Sequence, residues 1–283
     1  MKKLIALLLA AVMLLCAAAA LAAEPVDLST YTDAELDALR VQVAEEIAAR
    51  RRAATASPAA DFRYASDGSV VRIISYIGEG GEVVIPDVID GLPVTQVYEN
   101  AFKGNRSIAA VHLPDALVSI GENAFADSSI TSVYLPEGLE MIEAMAFNRT
   151  YMLTQVLVLP ESLKEIGVFA FQWCYTGGVV LQSDCKLIGR TLDNSKLRFC
   201  YIRPGCAVQI GSYTFANSSI ETMVIPAEVT SIHATAFEGC NAVTVYCPAG
   251  SYAEQYCREN FIVCNTAEYE AMVAYYEALY PAQ

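Results

Sequence analysis

One repeated phrase constrains the fold of this chain more than any other feature. The stretch 111–136 reads VHLPDALVSIGENAFADSSITSVYLP, and it begins and ends on an apolar pair around one residue followed by proline. The proline returns at Pro86, Pro114, Pro136, Pro160, Pro226 and Pro248. A branched aliphatic residue returns at Val97, Ile120, Ile142, Ile166, Ile188, Ile210 and Ile232, at spacings of 23, 22, 24, 22, 22 and 22 residues. A phenylalanine returns at Phe102, Phe125, Phe147, Phe171, Phe215 and Phe237, and Leu192 stands in the one missing place. Self-similarity at this period marks a repeat array, in which each unit buries its apolar face only against its neighbours.

A single unit shows how the burial works. Val133 and Leu135 alternate around Tyr134, so both point inward from a short strand. Pro136 ends that strand, Leu139 and Ile142 make the next inward step, and Ala146-Phe147 turns the corner. Stacking such units at a rise of about 4.8 Å closes the core. Seven coils of about 22 residues are expected, one of them degraded. Ahead of them, Phe62, Tyr64, Val70, Ile73 and Ile74 flank the turn Ser66-Asp67-Gly68. That is a hairpin signal, and an atypical first unit of this kind protects the end of an array.

The flanks divide the rest. Residues 1–23 read as a secretion signal: Lys2 and Lys3, an apolar run, and an A-x-A site at Ala20-Leu21-Ala22. The alternative is an uncleaved anchor, since Leu4 to Ala23 is long enough to span a bilayer. Cleavage is favoured because the run ends in small residues without a positive flank. Residues 24–54 carry a helix from Thr32, with the capping box Thr32-Asp33-Ala34-Glu35 and an apolar stripe at Leu36, Leu39, Val43 and Ile47. A linker follows at 55–60, the array occupies 61–250, and 251–283 forms a helical cap. The cap comprises a helix over Ser251 to Asn260 and another over Thr266 to Tyr280, the second with Tyr269, Met272, Val273 and Tyr276 on one face. The second helix is expected to lie as a lid on the array or to partner the N-terminal helix, in this chain or a second copy.

Charge and chemistry exclude more than they select. The net charge is −14, which argues against nucleic acid, whose phosphates are met by clustered Lys and Arg. After signal removal no membrane contact is expected. The only two histidines, His112 and His233, stand five coils or about 24 Å apart, so no shared metal is expected, and no cofactor motif occurs. No nucleophile, base and acid fall into a local constellation, so no enzyme is expected.

The phrases VVIPDVIDGLPVTQVYENAF, IGENAF, FEGC and VYCPAGSYAEQYCREN closely resemble the BspA-type leucine-rich repeat family of secreted and surface proteins. The resemblance runs from about Phe62 to Asn260. It implies a mainly β, right-handed leucine-rich-repeat solenoid used for extracellular adhesion and protein binding, with no enzymatic activity and no functional residues to carry over. It places the chain on or outside a bacterial cell, with an unidentified host or envelope protein as ligand. An envelope assembly role, self-associating through the terminal helices, is the alternative. The sequence departs from the family at Gln182 and Arg203, where proline is expected, and at Leu192.

Eight cysteines follow the signal segment. Cys185 and Cys247 occupy leucine positions and Cys200 a valine position, while Cys174 and Cys240 stand in a polar turn column with Asn105, Ser128, Thr150 and Ser218. Buried thiols suit those places, so most of the eight are expected to be structural thiols. Cys206, Cys257 and Cys264 have no such assignment. A candidate partner-binding surface is the coil from Trp173 to Arg203. It gathers Trp173 and Tyr175 with Lys186, Arg190, Lys196, Arg198 and Arg203 in an otherwise acidic chain. Trp, Tyr and Arg are the residues enriched in binding hot spots.

Overall fold

The computed structural model describes residues 56–281 apart from Met152 and Thr154. The secretion signal expected over residues 1–23 and the helix expected from Thr32 lie outside the described residues. In chain order the strands are β1 (Phe62–Ser66), β2 (Val71–Tyr76), β3 (Gly81–Val84), β4 (Val88–Ile89), β5 (Leu92–Val97), β6 (Ile108–His112), β7 (Ser119–Ile120), β8 (Ser132–Tyr134), β9 (Met141–Ile142) and β10 (Val156–Val158). They continue as β11 (Glu165–Ile166), β12 (Gly178–Leu181), β13 (Lys186–Leu187), β14 (Phe199–Ile202), β15 (Gln209–Ile210), β16 (Thr222–Val224), β17 (Ser231–Ile232), β18 (Thr244–Tyr246) and β19 (Val263–Asn265). Helix α1 (Tyr252–Glu259) precedes β19, and α2 (Tyr269–Leu279) follows it. Among the described residues no helix is long and apolar enough to cross a membrane.

Each coil contributes one strand to each of two ladders. The first runs β1-β2-β5-β7-β9-β11-β13-β15-β17, with β4 beside β5. The second runs β3-β6-β8 and then, as a separate sheet, β10-β12-β14-β16-β18-β19. This is a mainly β solenoid of about nine turns, two more than the repeated phrases suggest. The hairpin forms as expected, but its second strand is already a rung, since Val71 and Ile73 pair with Val94 and Val97. At the far end β19 adds another, with Cys264 beside Val245. The linker also joins the array: the Ser57 N–H donates to the Val84 carbonyl at 2.9 Å.

Two irregularities of spacing have physical consequences. At Ile188 the letters of the phrase mislead. Leu187, not Ile188, pairs with Ile166 and Ile210, and Ile188 turns outward with 39% of its surface exposed. The 24-residue period from Ile142 to Ile166 carries its extra length between Phe147 and Leu157. There β8 and β10 fail to pair, and a side chain substitutes for the missing strand. The Gln155 Oε1 accepts from the Val133 N–H at 3.0 Å, and its Nε2 donates to the Val133 carbonyl at 2.7 Å.

The recurring phenylalanines form a stacked spine. Tyr76, Phe102, Phe125, Phe147 and Phe171 follow one another at centroid separations of 5.5, 4.8, 5.1 and 5.1 Å. Leu192 is buried in the next place, with its N–H on the Thr214 carbonyl as that of Phe171 is on Thr191. Phe215 and Phe237 then resume the stack at 5.1 Å. The columns predicted for cysteines hold as well. Cys185, Cys200 and Cys247 are buried in the core, the Thr150 Oγ1 donates to Cys174 Sγ at 3.4 Å, and the Cys240 thiol donates to the Phe215 carbonyl at 2.8 Å.

Helix α1 starts where expected: Ser251 Oγ accepts from the Glu254 N–H, and Ala253, Tyr256 and Cys257 face the last coil. Helix α2 starts three residues later than the Thr266 signal suggests, with Glu268 at its N-cap and the Asn265 Oδ1 accepting from the Glu268 N–H. It is not a lid on the open end. Its apolar face lies along the flank, where Tyr269 and Tyr276 cluster with Val180, Phe199, Tyr201 and Val224 from the outer face of β12, β14 and β16.

This burial of phenols and thiols sets an alkaline limit. Desolvation pushes Cys174, Cys247 and Cys257 up to about 12, Cys185 and Cys206 up to about 11, and Tyr256 and Tyr269 up to about 12. The ordinary values are 9.0 for a thiol and 10.0 for a phenol. The folded state therefore holds its protons where the unfolded chain releases them. The associated stability is fully present below about pH 9 and is lost as pH rises through the folded values. Urea midpoints should stay flat from pH 7 to 8.5 and fall steeply between pH 9.5 and 11. A midpoint constant to pH 11 would contradict this.

Candidate functional site

The corner of each coil is built from two successive tight turns. In one coil the Ala124 N–H closes the first on the Gly121 carbonyl and the Ser128 N–H closes the second on Phe125. The third residue of each turn has positive φ, the place at which a type II turn needs it. Stacking turns these residues into two columns along one edge of the array. The first is Asn100, Asn123, Met145, Phe169, Arg190 and Tyr213, with φ between 55° and 61°. The second is Gly104, Asp127, Arg149, Trp173, Asn194, Asn217 and Gly239.

Asn, Asp and Gly suit such positions. A bulky side chain there costs about 1–2 kcal/mol. The middle coils nevertheless place Met145, Phe169, Trp173 and Tyr213 in them. Backbone strain of this kind persists where the surroundings enforce it, and it concentrates at functional sites. The backbone bonds between coils supply the enforcement: the Met145 N–H donates to the Val168 carbonyl and the Trp173 N–H to Asp193. Between the columns runs a polar ribbon. Asn148 Nδ2 donates to Gln172 Oε1 at 3.1 Å, Gln172 Nε2 to Asp193 Oδ2 at 3.0 Å, and Arg190 Nη1 to the same oxygen at 3.1 Å. The Arg190 guanidinium also lies 4.4 Å from the Tyr213 ring centroid.

Beside Trp173 the chain forms an open pocket of about 280 Å³ lined by Tyr175, Gly177, Lys196, Arg198 and Ser219. Tyr175 and Lys196 form an isolated bridge between neighbouring coils. The Lys196 ammonium sits 4.3 Å above the Tyr175 ring, and Tyr151 meets that ring edge-on at 5.3 Å. The Tyr175 ring in the pocket lining is thus covered by the Lys196 ammonium, with Arg198 in the same lining.

The seven residues singled out from the sequence do not form one group. Tyr175, Lys196 and Arg198 meet at the pocket. Trp173, 39% exposed, and Arg190 lie in the turn columns and do not line the pocket. Lys186 lies elsewhere, in the first ladder opposite Glu165 and Gln209. Arg203 is enclosed by the chain's own C-terminus. Its Nη2 donates to the Tyr280 carbonyl at 2.7 Å, its Nη1 is 3.4 Å from Glu277 Oε2, and only 11% of its side chain is exposed. Tyr201 donates to Glu277 as well, at 2.5 Å.

That enclosure explains much of what looked like a degraded coil. Phe199 and Tyr201 project outward to receive α2, with ring centroids 4.8 and 5.1 Å from that of Tyr276. Gly178 leaves the space for Phe199, since a Cβ there would lie 2.3 Å from the ring. Arg203 replaces proline because it anchors the helix end. Sequence reasoning missed Met145, Phe169 and Tyr213, although each stands three residues after a rung residue, in the column that Asn123 occupies. Among the described residues no three His, Cys, Asp or Glu side chains are grouped to hold a metal.

Comparison with known proteins bears on this geometry. The model of the BspA type leucine rich repeat region matches six copies, over residues 91–198 and 208–271. The gap between the two matches contains Phe199, Tyr201 and Arg203, which meet α2. Among solved structures, a leucine-rich repeat protein of T. pallidum is 25% identical, covering 75% of this chain and 99% of its own, with a TM-score of 0.46. One from Bacteroides ovatus is 17% identical over 72% of this chain and 65% of its own, at 0.45. The pneumococcal vaccine antigen PcpA is 18% identical over 69% and 50%, at 0.46. No curated protein matches. With more than half of its length matched to the repeat model, the chain belongs to the BspA-type leucine-rich repeat family.

Proposed function

We propose that this chain is an extracellular binding module of the bacterial surface. It takes a protein ligand, of host or envelope origin, on the turn edge and adjoining pocket of its middle coils. The observation that carries this reading is the set of bulky residues held in left-handed positions, Phe169, Trp173 and Tyr213 above all. A purely structural edge would keep Asn or Gly there. The pocket cations Lys196 and Arg198 add a basic rim to an acidic protein, which favours an acidic epitope. Repeats of this type generally mediate protein binding, and the signal-like residues 1–23 support export. A self-assembling envelope role draws less support, because α2 already buries its apolar face on its own array. No catalytic step is proposed.

Trp173→Asn combined with Arg198→Ala tests the reading. Asparagine tolerates the left-handed backbone, so the unfolding midpoint should hold or rise, by up to about 1 kcal/mol. Retention of a ligand captured by the wild-type chain from host matrix or envelope fractions should fall at least tenfold. Unaltered affinity would leave the edge as ordinary surface. A stability loss above about 1 kcal/mol would assign Trp173 to packing instead.

A further inference from the structure

The C-terminal cap brings together two thiols without a place in the repeat register, Cys257 and Cys264, and one that fills a leucine position, Cys247. Cys247 follows β18, Cys257 lies on α1 and Cys264 on β19. Strand pairing sets Val245 beside Cys264 and Tyr246 beside Asn265. Cys247, two residues beyond Val245, therefore returns to the inward face next to Cys264. The two Sγ atoms are 3.2 Å apart, and the Cys264 thiol also contacts that of Cys257. In other coils apolar side chains fill this place, as Leu113 with Val133 and Leu159 with Val179. Apolar packing would be met equally well by them, so the paired sulfurs call for another account.

We propose that Cys247 and Cys264 form a redox-active dithiol, which closes into a disulfide by exchange with a low-molecular-weight disulfide. Cys264 is the more accessible of the two, half-buried where Cys247 is buried. Its thiolate attacks one sulfur of the small disulfide, that S–S bond breaks, and one small thiolate leaves. The Cys247 thiolate then attacks Cys264 Sγ, and the second small thiolate leaves. Two protein thiols are oxidised to one disulfide, one small disulfide is reduced to two small thiols, and the two protein protons end on those thiols. The sulfurs need to approach by only about 1.2 Å. The closed ring ties β18 to β19 across α1 and so locks the terminal coil, whose outer edge has no further strand among the described residues. Burial raises the pKa of all three thiols, so closure should accelerate as pH rises above 7.

The test equilibrates the reduced wild-type chain with glutathione disulfide, blocks remaining thiols, and maps linked fragments by mass spectrometry after digestion without reductant. The expected result is a linked pair bearing Cys247 and Cys264, 2 Da lighter than the two fragments together. It should persist in Cys257→Ser and disappear in Cys264→Ser. A wild-type chain in which both thiols remain open to alkylation would overturn the proposal. So would a link between Cys257 and Cys264 in its place.

Discussion

Phe147→Ala should remove about 3–5 kcal/mol of stability, a large part of the about 5–15 kcal/mol that holds a typical domain folded. The ring is fully buried and is stacked on both faces, by Phe125 and Phe171, each 5.1 Å away between centroids. Deleting it empties a slot whose walls are the backbones of neighbouring coils. The unbroken first ladder holds those coils at their spacing, so they close in only partly. In an array each unit is stable only through its neighbours, so the loss weakens two interfaces at once. Phe147→Leu copies what the chain itself does at Leu192, and should cost less than about 2 kcal/mol. Urea unfolding of the two variants beside wild type reads both values. Equal losses would mean that the spine acts as bulk apolar volume and its stacking contributes nothing.

The second large effect concerns α2. Tyr276→Ala should undock the helix, at a cost of about 3–5 kcal/mol. Tyr276 is buried and its ring lies against both Phe199 and Tyr201. Without it, Met272, Val273 and Leu279 keep only partly buried contacts. A glutamate-specific protease should then cleave at Glu270 and Glu277 at least tenfold faster than in wild type, because sites in a docked helix open only by local unfolding. The bared patch of Val180, Phe199, Tyr201 and Val224 should also drive concentration-dependent association, seen in light scattering. Unchanged cleavage rates would show that α2 is held elsewhere, by the Arg203 and Glu277 contacts.

The array itself was legible because its period is written in letters that also carry the packing. Pro136 stops a strand, Ile142 fills a rung and Phe147 joins the spine, so spacing and structure coincide. The Ser251 cap was legible for the same reason. Three features were not. Ile188-Gly189 repeats the letters of Ile120-Gly121, yet its coil is one residue shorter ahead of the rung and Leu187 takes the place. Phe199 and Tyr201 read as ordinary outward positions of a strand, because nothing local says that a helix from residue 269 onward will cover them. The candidate site was half visible. Tyr175, Lys196 and Arg198 do meet, but the strained columns depend on φ, which a side chain's identity does not reveal. Arg203 is drawn inward only by a partner about 77 residues away along the chain.

The Gln155 amide between β8 and β10 makes the array mechanically unequal on its two sides. One ladder continues from β9 into β11, with Ile142 beside Ile166, as an unbroken backbone rail. Among the described residues the opposite ladder stops and restarts, joined at that level by the Gln155 side chain's two hydrogen bonds to Val133. A backbone ladder resists bending through every residue it pairs, whereas a side-chain link swings with its rotamer. The coils before and after this level are therefore two stiff segments on a joint that flexes about the continuous rail. The binding surface proposed for the middle coils would, on such a joint, match partners of differing curvature without unstacking any coil.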